Sequence, residues 1–434
     1  MPQQKGILMI QYNLLIGCIA LALSSIALAT PADLEAKISG LVNEDGLSDA
    51  FDVFVVDKDK RYTIQTAERW VGAGFQPSVL ADDQGKIHVF FQARLDGSND
   101  RAEKMIAHVT SSNGGKTFSE IQFINAAPMQ TYAISAFMRN SPSSSKRISV
   151  LTSLSIDETI ERLKDPTLIR ERLNIDVTTF KRKGATVVLE FYSDDLGRTW
   201  KRKEHRDISD RVYQRNGRDY YLAFINLIGQ VRRIEGGQHD GRLLLGGPLR
   251  GSYLPCKDHP HFRNYPPSSS LIYSDDKGES WKFGGVINDD TAFANNEASA
   301  VSVNGGRQVL LARRSNSRGV KGKTMHLSSD GGDTWEDGFL TSVTATRCLQ
   351  VLETHGDIVL CSAPGKTDRT HGTIYVSTNA GKSWTPKVIE EGLFSYSTVN
   401  RLVGDYLICS YSRGHHGEQG IAARIFSVQW LERE

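Results

Sequence analysis

The chain has 434 residues, with 52 Lys and Arg against 50 Asp and Glu and a formal net charge of +2 at pH 7. So even a balance leaves no broad field of one sign, which excludes a function built on general attraction to nucleic acid or to a membrane surface and favours a small-molecule or glycan partner. A mature part of roughly 400 residues is long for an ordinary domain but normal for a closed all-β repeat array whose units share one core.

In chain order, residues 1–29 come first: Lys5 in a weakly positive start, an apolar run from Leu14 to Leu28, and the small-x-small site Ala27-Leu28-Ala29. They read as a cleaved secretory signal, with residues 30–434 as one domain and a secreted or periplasmic destination. An uncleaved anchor (residues 7–29) and a lipoprotein signal at Cys18 are the alternatives; beyond such an anchor no membrane contact is expected.

Short β-rich runs follow at Ile87–Phe91, Met105–Val109, Ala185–Tyr192, Leu243–Leu245, Val309–Leu311, Thr373–Val376 and Tyr406–Tyr411. They are bounded by Gly and Asp and are too short for helices, the pattern of meandering antiparallel strands. Between them one phrase recurs five times, Ser-x-Asp/Asn-x-Gly-x-Thr/Ser-aromatic: Ser111–Phe118, Ser193–Trp200, Ser274–Trp281, Ser328–Trp335 and Ser377–Trp384. Each is a hairpin turn in which the Asx side chain ties back to backbone N–H groups, Gly supplies a positive φ and the aromatic staples the turn to its own sheet. The wider intervals exceed the roughly 40–50 residues of a four-stranded blade and so hold insertions. One, opening at the capping box Ser155-Ile156-Asp157-Glu158 and running to Arg172, reads as helical. Another, Arg250–Pro267, is rich in Pro, His and Tyr and reads as a loop.

Without Cys18, four cysteines remain: Cys256, Cys348, Cys361 and Cys409. Cys348 and Cys361 flank a hairpin signal at Thr354-His355-Gly356-Asp357 that allows a bridge, and four buried free thiols are the equal alternative. No spacing suggests a metal site, and no cofactor is expected.

With these boxes the chain resembles the sialidase (exo-neuraminidase) family over about residues 50–430. The resemblance implies an all-β fold, a six-bladed β-propeller of four-stranded antiparallel blades, here with a short helical insertion. It also implies a sialylated or other acidic glycan as substrate. A sugar with a carboxylate on its anomeric carbon repels a carboxylate nucleophile, so a tyrosine activated by a glutamate attacks instead, and arginines hold the carboxylate. Tyr396, in Phe394-Ser395-Tyr396-Ser397, matches the family's nucleophile motif. Glu297, in Asn296-Glu297, matches its base, and Arg313 after the next strand a carboxylate clamp. Arg369, eight residues ahead of the fifth box, matches the last clamp arginine. Gln92-Ala93-Arg94 followed by Ser98-Asn99-Asp100 matches the segment of the acid, making Asp100 the proton donor, with Asp96 its competitor and Arg94 a substrate-binding residue.

One departure stands out. Where the family carries Phe-Arg-Ile-Pro, this chain has Phe75-Gln76-Pro77, so that Gln76 replaces the first clamp arginine. The glutamate that supports that arginine is replaced in Tyr411-Ser412. The two changes agree, because a carboxylate left without its cation would be a costly buried charge. Arg69, Arg314 and Arg413 are candidates to fill the vacancy. The expected function is a secreted retaining exo-glycosidase of sialidase type; the alternative is a carbohydrate-binding propeller that has lost turnover, and a third reading is a propeller used for protein contact.

Overall fold

A computed structural model of the chain describes residues 31–99, 102–125, 127–129, 134–141, 144–155, 170–171, 174–176, 179, 186–209, 212–215, 218–222, 230–251, 267–287, 295–315, 322–344, 348–413 and 420–433. The proposed signal, the Arg250–Pro267 loop except its two ends, and Asp100 lie outside these residues, as does the helical insertion apart from Ser155, which ends a strand, and Arg170 and Glu171, which are helical.

Six antiparallel blades form a β-propeller. Blade one takes strands Val71–Ala81, Ile87–Leu95, Lys104–Ser111 and Gln122–Phe123 in order from the inside. Blades two, four and five repeat that order, starting from Ser135–Ser141, Asn295–Val303 and Val351–His355. Blade three is elaborated: Arg232–Arg233 and the hairpin Val212–Arg215 with Arg218–Leu222 share one edge of Leu243–Gly251. Every run expected as a strand lies within a strand, save Ala185, outside the described residues.

Blade six explains why six blades carry only five boxes. Its inner three strands are Ser397–Val403, Tyr406–Ser412 and Ile421–Ser427, but its outermost strand is Phe51–Phe54 from the other end of the chain, paired Phe51 to Ala423 and Phe54 to Ile421. No turn joins its third strand to its fourth, so no box is needed there. The five boxes occupy that turn in blades one to five.

Each box has the expected bonding. Ser193 Oγ accepts from Gly197 N at 2.7 Å and Asp195 Oδ1 from Thr199 N at 2.9 Å; Ser328 with Gly332, and Asp330 with Thr334, repeat this at 2.8 Å each. The slight burial of Asp195 works to raise its pKa, but hydrogen bonds from Thr199 and Ser193 outweigh it and hold the carboxyl at about 2. The aromatics do more than expected: besides packing on their own sheet, they reach the preceding blade. Trp200 meets Phe90 and His108 of blade one edge-on, Trp281 meets Phe137 of blade two, and Phe118 stacks on Phe51 of blade six. An aromatic at a turn covers more apolar surface by crossing the seam between two twisted sheets than by lying on its own strand.

Across the channel, buried Arg232 of blade three donates to Leu352 O at 2.9 Å in blade five and to Val399 O at 2.7 Å in blade six, and pairs with Glu353 at 2.8 Å. Near it, a cavity of about 470 Å³ is lined by Leu80, Phe137, Gln230, Asn400 and Arg401 among others. Cys348, Cys361 and Cys409 are buried and free, so the bridge between Cys348 and Cys361 is not formed. Burial pushes the Cys361 thiol up to about 12. No helix among the described residues is long and apolar enough to cross a membrane.

Candidate active site

Tyr396 and Glu297 are 99 positions apart, yet the Tyr396 phenol donates to Glu297 Oε1 at 2.5 Å. Tyr396 immediately precedes the inner strand of blade six, and Glu297 lies at an irregularity between Asn295 and Ala298 in the inner strand of blade four. Both are buried. Gln350, ahead of the inner strand of blade five, donates to Glu297 O at 3.3 Å and so fixes the backbone that carries the carboxylate.

Arg369 occupies the turn after Ile358–Pro364, with a left-handed φ of 62°. Its Nη1 donates to Ser395 Oγ at 3.0 Å, and its guanidinium carbon lies 5.5 Å from the centre of the Tyr396 ring. Arg313, buried, stands opposite Ala298, one step along the strand from Glu297. The Phe75 ring lies 4.6 Å from that of Tyr396, and the Arg94 guanidinium sits 4.1 Å from the centre of Phe75. Arg94 Nη1 also donates to Ser98 O at 2.6 Å, holding the segment that leads to Asp100.

The vacancy is closed by neutral groups. Gln76 N donates to Ser412 Oγ at 3.3 Å, so the two positions that departed together in sequence touch in space. Gln92 Nε2 donates to Gln76 Oε1 at 2.9 Å. Arg69 does not move in: it binds Asp96 through Nε and Glu103 at 2.9 Å. Arg413 is held by Asp52, and the Arg314 side chain lies outside the described residues. Asp96 is likewise engaged, by Arg69 and by Trp70 N at 3.1 Å.

The fold therefore gathers Tyr396, Glu297, Arg369, Gln76 and, through Phe75, Arg94 at one end of the channel, with Arg313 beside the strand of Glu297. Sequence reasoning overlooked Phe75 as the platform, Gln92 as the partner of Gln76, and Gln350. Gln92 was within reach, since it lies two residues from Arg94 and so shares its face of the strand. Gln350 carried no local signal. Among the described residues no group of acidic, His and Cys side chains could hold a metal ion.

The profile of the BNR repeat-like domain family matches residues 172–407, more than half of the chain. Over 374 residues the chain is 23% identical to a sialidase of Micromonospora viridifaciens, covering 82% of this chain but only 51% of that protein, so it spans about half the length of this relative. With a sialidase of Clostridium perfringens it is 25% identical over 364 residues, 79% of this chain and 84% of the relative. The fold is also that of the Hadza microbial sialidase Hz136, with a TM-score of 0.62 and 16% identity over 88% of this chain and 69% of the other. Taking the matched profile together with the five boxes and the six blades, the chain belongs to the sialidase-type family of BNR-repeat propellers.

Proposed function

We propose that the protein is an exported, retaining exo-glycosidase that removes a terminal sialic acid or a related acidic sugar from a glycan. The observation that carries this reading is the bond from the Tyr396 phenol to Glu297, formed in a buried place beside Arg369. In the first step Glu297 takes the phenol proton while Tyr396 Oη forms a bond to the anomeric carbon; the glycosidic bond breaks as Asp100 protonates the departing oxygen. In the second step Asp100 takes a proton from water, the water oxygen replaces Tyr396 at the same carbon, and Glu297 returns its proton to the departing Tyr396 Oη, which restores the phenol with net retention. Arg313 and Arg369 hold the substrate carboxylate, and Arg94 binds substrate over Phe75. The sialidase relatives support the substrate class.

The test is hydrolysis of a fluorogenic sialoside by the native protein and by Tyr396→Phe. Removal of the nucleophile should lower kcat by on the order of 10³-fold or more, the scale of losing a member of a nucleophile–base unit. Equal rates would reject the mechanism. A glycan that binds with no product released would instead favour the binding-module alternative.

A further inference from the structure

Gln76 sits in an unusual place for a strand residue. In a regular strand, neighbours face opposite sides. Here the pairing of Val71–Ala81 with Ile87–Leu95 is irregular between Phe75 and Ser78, and Gln76 adopts a left-handed φ of 52°. That kink lets Phe75 pack on Tyr396 while Gln76, also buried, bonds to the blade that carries Tyr396. A non-glycine residue held in that region is a strained feature that surrounding contacts must maintain.

Those contacts are continuous. Ser412, which accepts from Gln76 N, donates from its own N–H to Tyr396 O at 2.9 Å and accepts from Ser395 N at 3.0 Å. Ser395 Oγ in turn accepts from Arg369. Gln92 fixes the amide of Gln76 through its oxygen, so the NH₂ of Gln76 is turned away from Gln92 as the remaining donor. The wall running from Gln76 through Ser412 to Ser395 is thus uncharged, and it ends at the cation of Arg369. An amide N–H donates to a carboxylate, an ester carbonyl or a carboxamide alike, whereas a guanidinium rewards the negative charge with a stronger, paired bond.

We propose that Gln76, oriented by Gln92 and Ser412, is a specificity-determining residue that weakens charge selection at this site. Discrimination between a terminal sugar acid and the methyl ester or carboxamide of the same sugar then rests on Arg313 and Arg369 alone, and the Gln76 wall adds nothing to it. This inference rests on reading the site as one for an acidic sugar, but its test reads binding and needs no turnover.

Full-length native protein is titrated calorimetrically with N-acetylneuraminic acid and with its methyl ester. The acid is expected to bind tighter than the ester through Arg313 and Arg369, but by no more than about 100-fold, since the Gln76 wall contributes only neutral bonds. Gln76→Ala should weaken both ligands by a similar factor and leave the ratio alone. The pair Gln76→Arg with Ser412→Glu, which supplies a cation together with its counter-charge, should widen the ratio by about tenfold or more. A native ratio above about 100-fold, no binding of either ligand, or a Gln76→Ala protein that binds both as the native protein does, would each overturn the proposal. Should the paired variant not fold, the native ratio and Gln76→Ala still decide. Loss of hydrolysis without loss of binding would count against the proposed reaction and not against Gln76.

Discussion

His108 shows how much a single buried side chain decides. Its ring stacks 4.5 Å from Phe90, meets Trp200 edge-on and contacts His88 ring nitrogen to ring nitrogen at 2.9 Å, while His88 faces Asp82 at 3.0 Å. Burial, and then the neighbouring His88, pull the pKa of His108 down to about 3, and burial also lowers that of His88 despite Asp82. In the unfolded chain both titrate near the ordinary 6.5, so between that value and about 3 the unfolded state binds more protons. Their contribution to stability is complete above about pH 6.5 and is lost as the pH falls toward 3. His205 acts in the opposite sense: burial lowers its pKa but Asp207 and Glu190 more than offset this, so its contribution is present at low pH and fades as the pH rises through its raised value. Urea midpoints measured between about pH 7.5 and 4.5 should therefore fall with acid, and His108→Gln should flatten that slope whatever it does at neutral pH. An unchanged slope would show that His108 does not carry the effect.

At the scale of an element, the boxes act as rivets between blades. Gly197 in the second box has φ of +86°, and a Cβ there would stand 2.7 Å from Cε1 of His108 in blade one. Gly197→Ala therefore meets both a left-handed backbone and a clash across the seam, a loss of about 2–3 kcal/mol together. Gly305, with φ of +62° and open space for 4 Å around the position a Cβ would take, meets only the first cost, about 1 kcal/mol. Chemical denaturation of the two variants should show that difference; equal losses would mean that the seam is loose. This contact was only half legible. The phrase itself announced the turn and its glycine, but which further sheet the aromatic touches depends on how neighbouring blades twist past one another, and no local spacing encodes that.

For the whole molecule, ring closure depends on four residues near the other end of the chain. Phe51–Phe54 completes blade six, with Phe54 stacked 5.0 Å from Phe91 of blade one and Phe51 against Phe118. The substitution pair Phe51→Ala with Phe54→Ala removes two half-buried rings from this closure and should cost about 4 kcal/mol. The control Val55→Ala, at a side chain 61% exposed, should cost almost nothing. Calorimetric midpoints compare the two, and a shared midpoint would show that closure is not needed for stability. The same circular arrangement brings Gln76 of blade one beside Ser412 of blade six, and Tyr396 within reach of Glu297.

The amino-acid sequence by itself determined the repeat, the turns and the strands, because each of these is set by residues a few positions apart: a Ser, an Asx, a glycine and an alternation of apolar side chains. It also supplied the chemical types of the site, and the joint loss of charge at Gln76 and Ser412. Only the tertiary structure decided that Tyr396 meets Glu297, that Arg69 pairs with Asp96, that Phe75 carries Arg94, and that box aromatics such as Trp200 reach across to the preceding blade. These contacts join residues tens to hundreds of positions apart, and they exist because closing a ring of twisted sheets fixes which side chains share the channel.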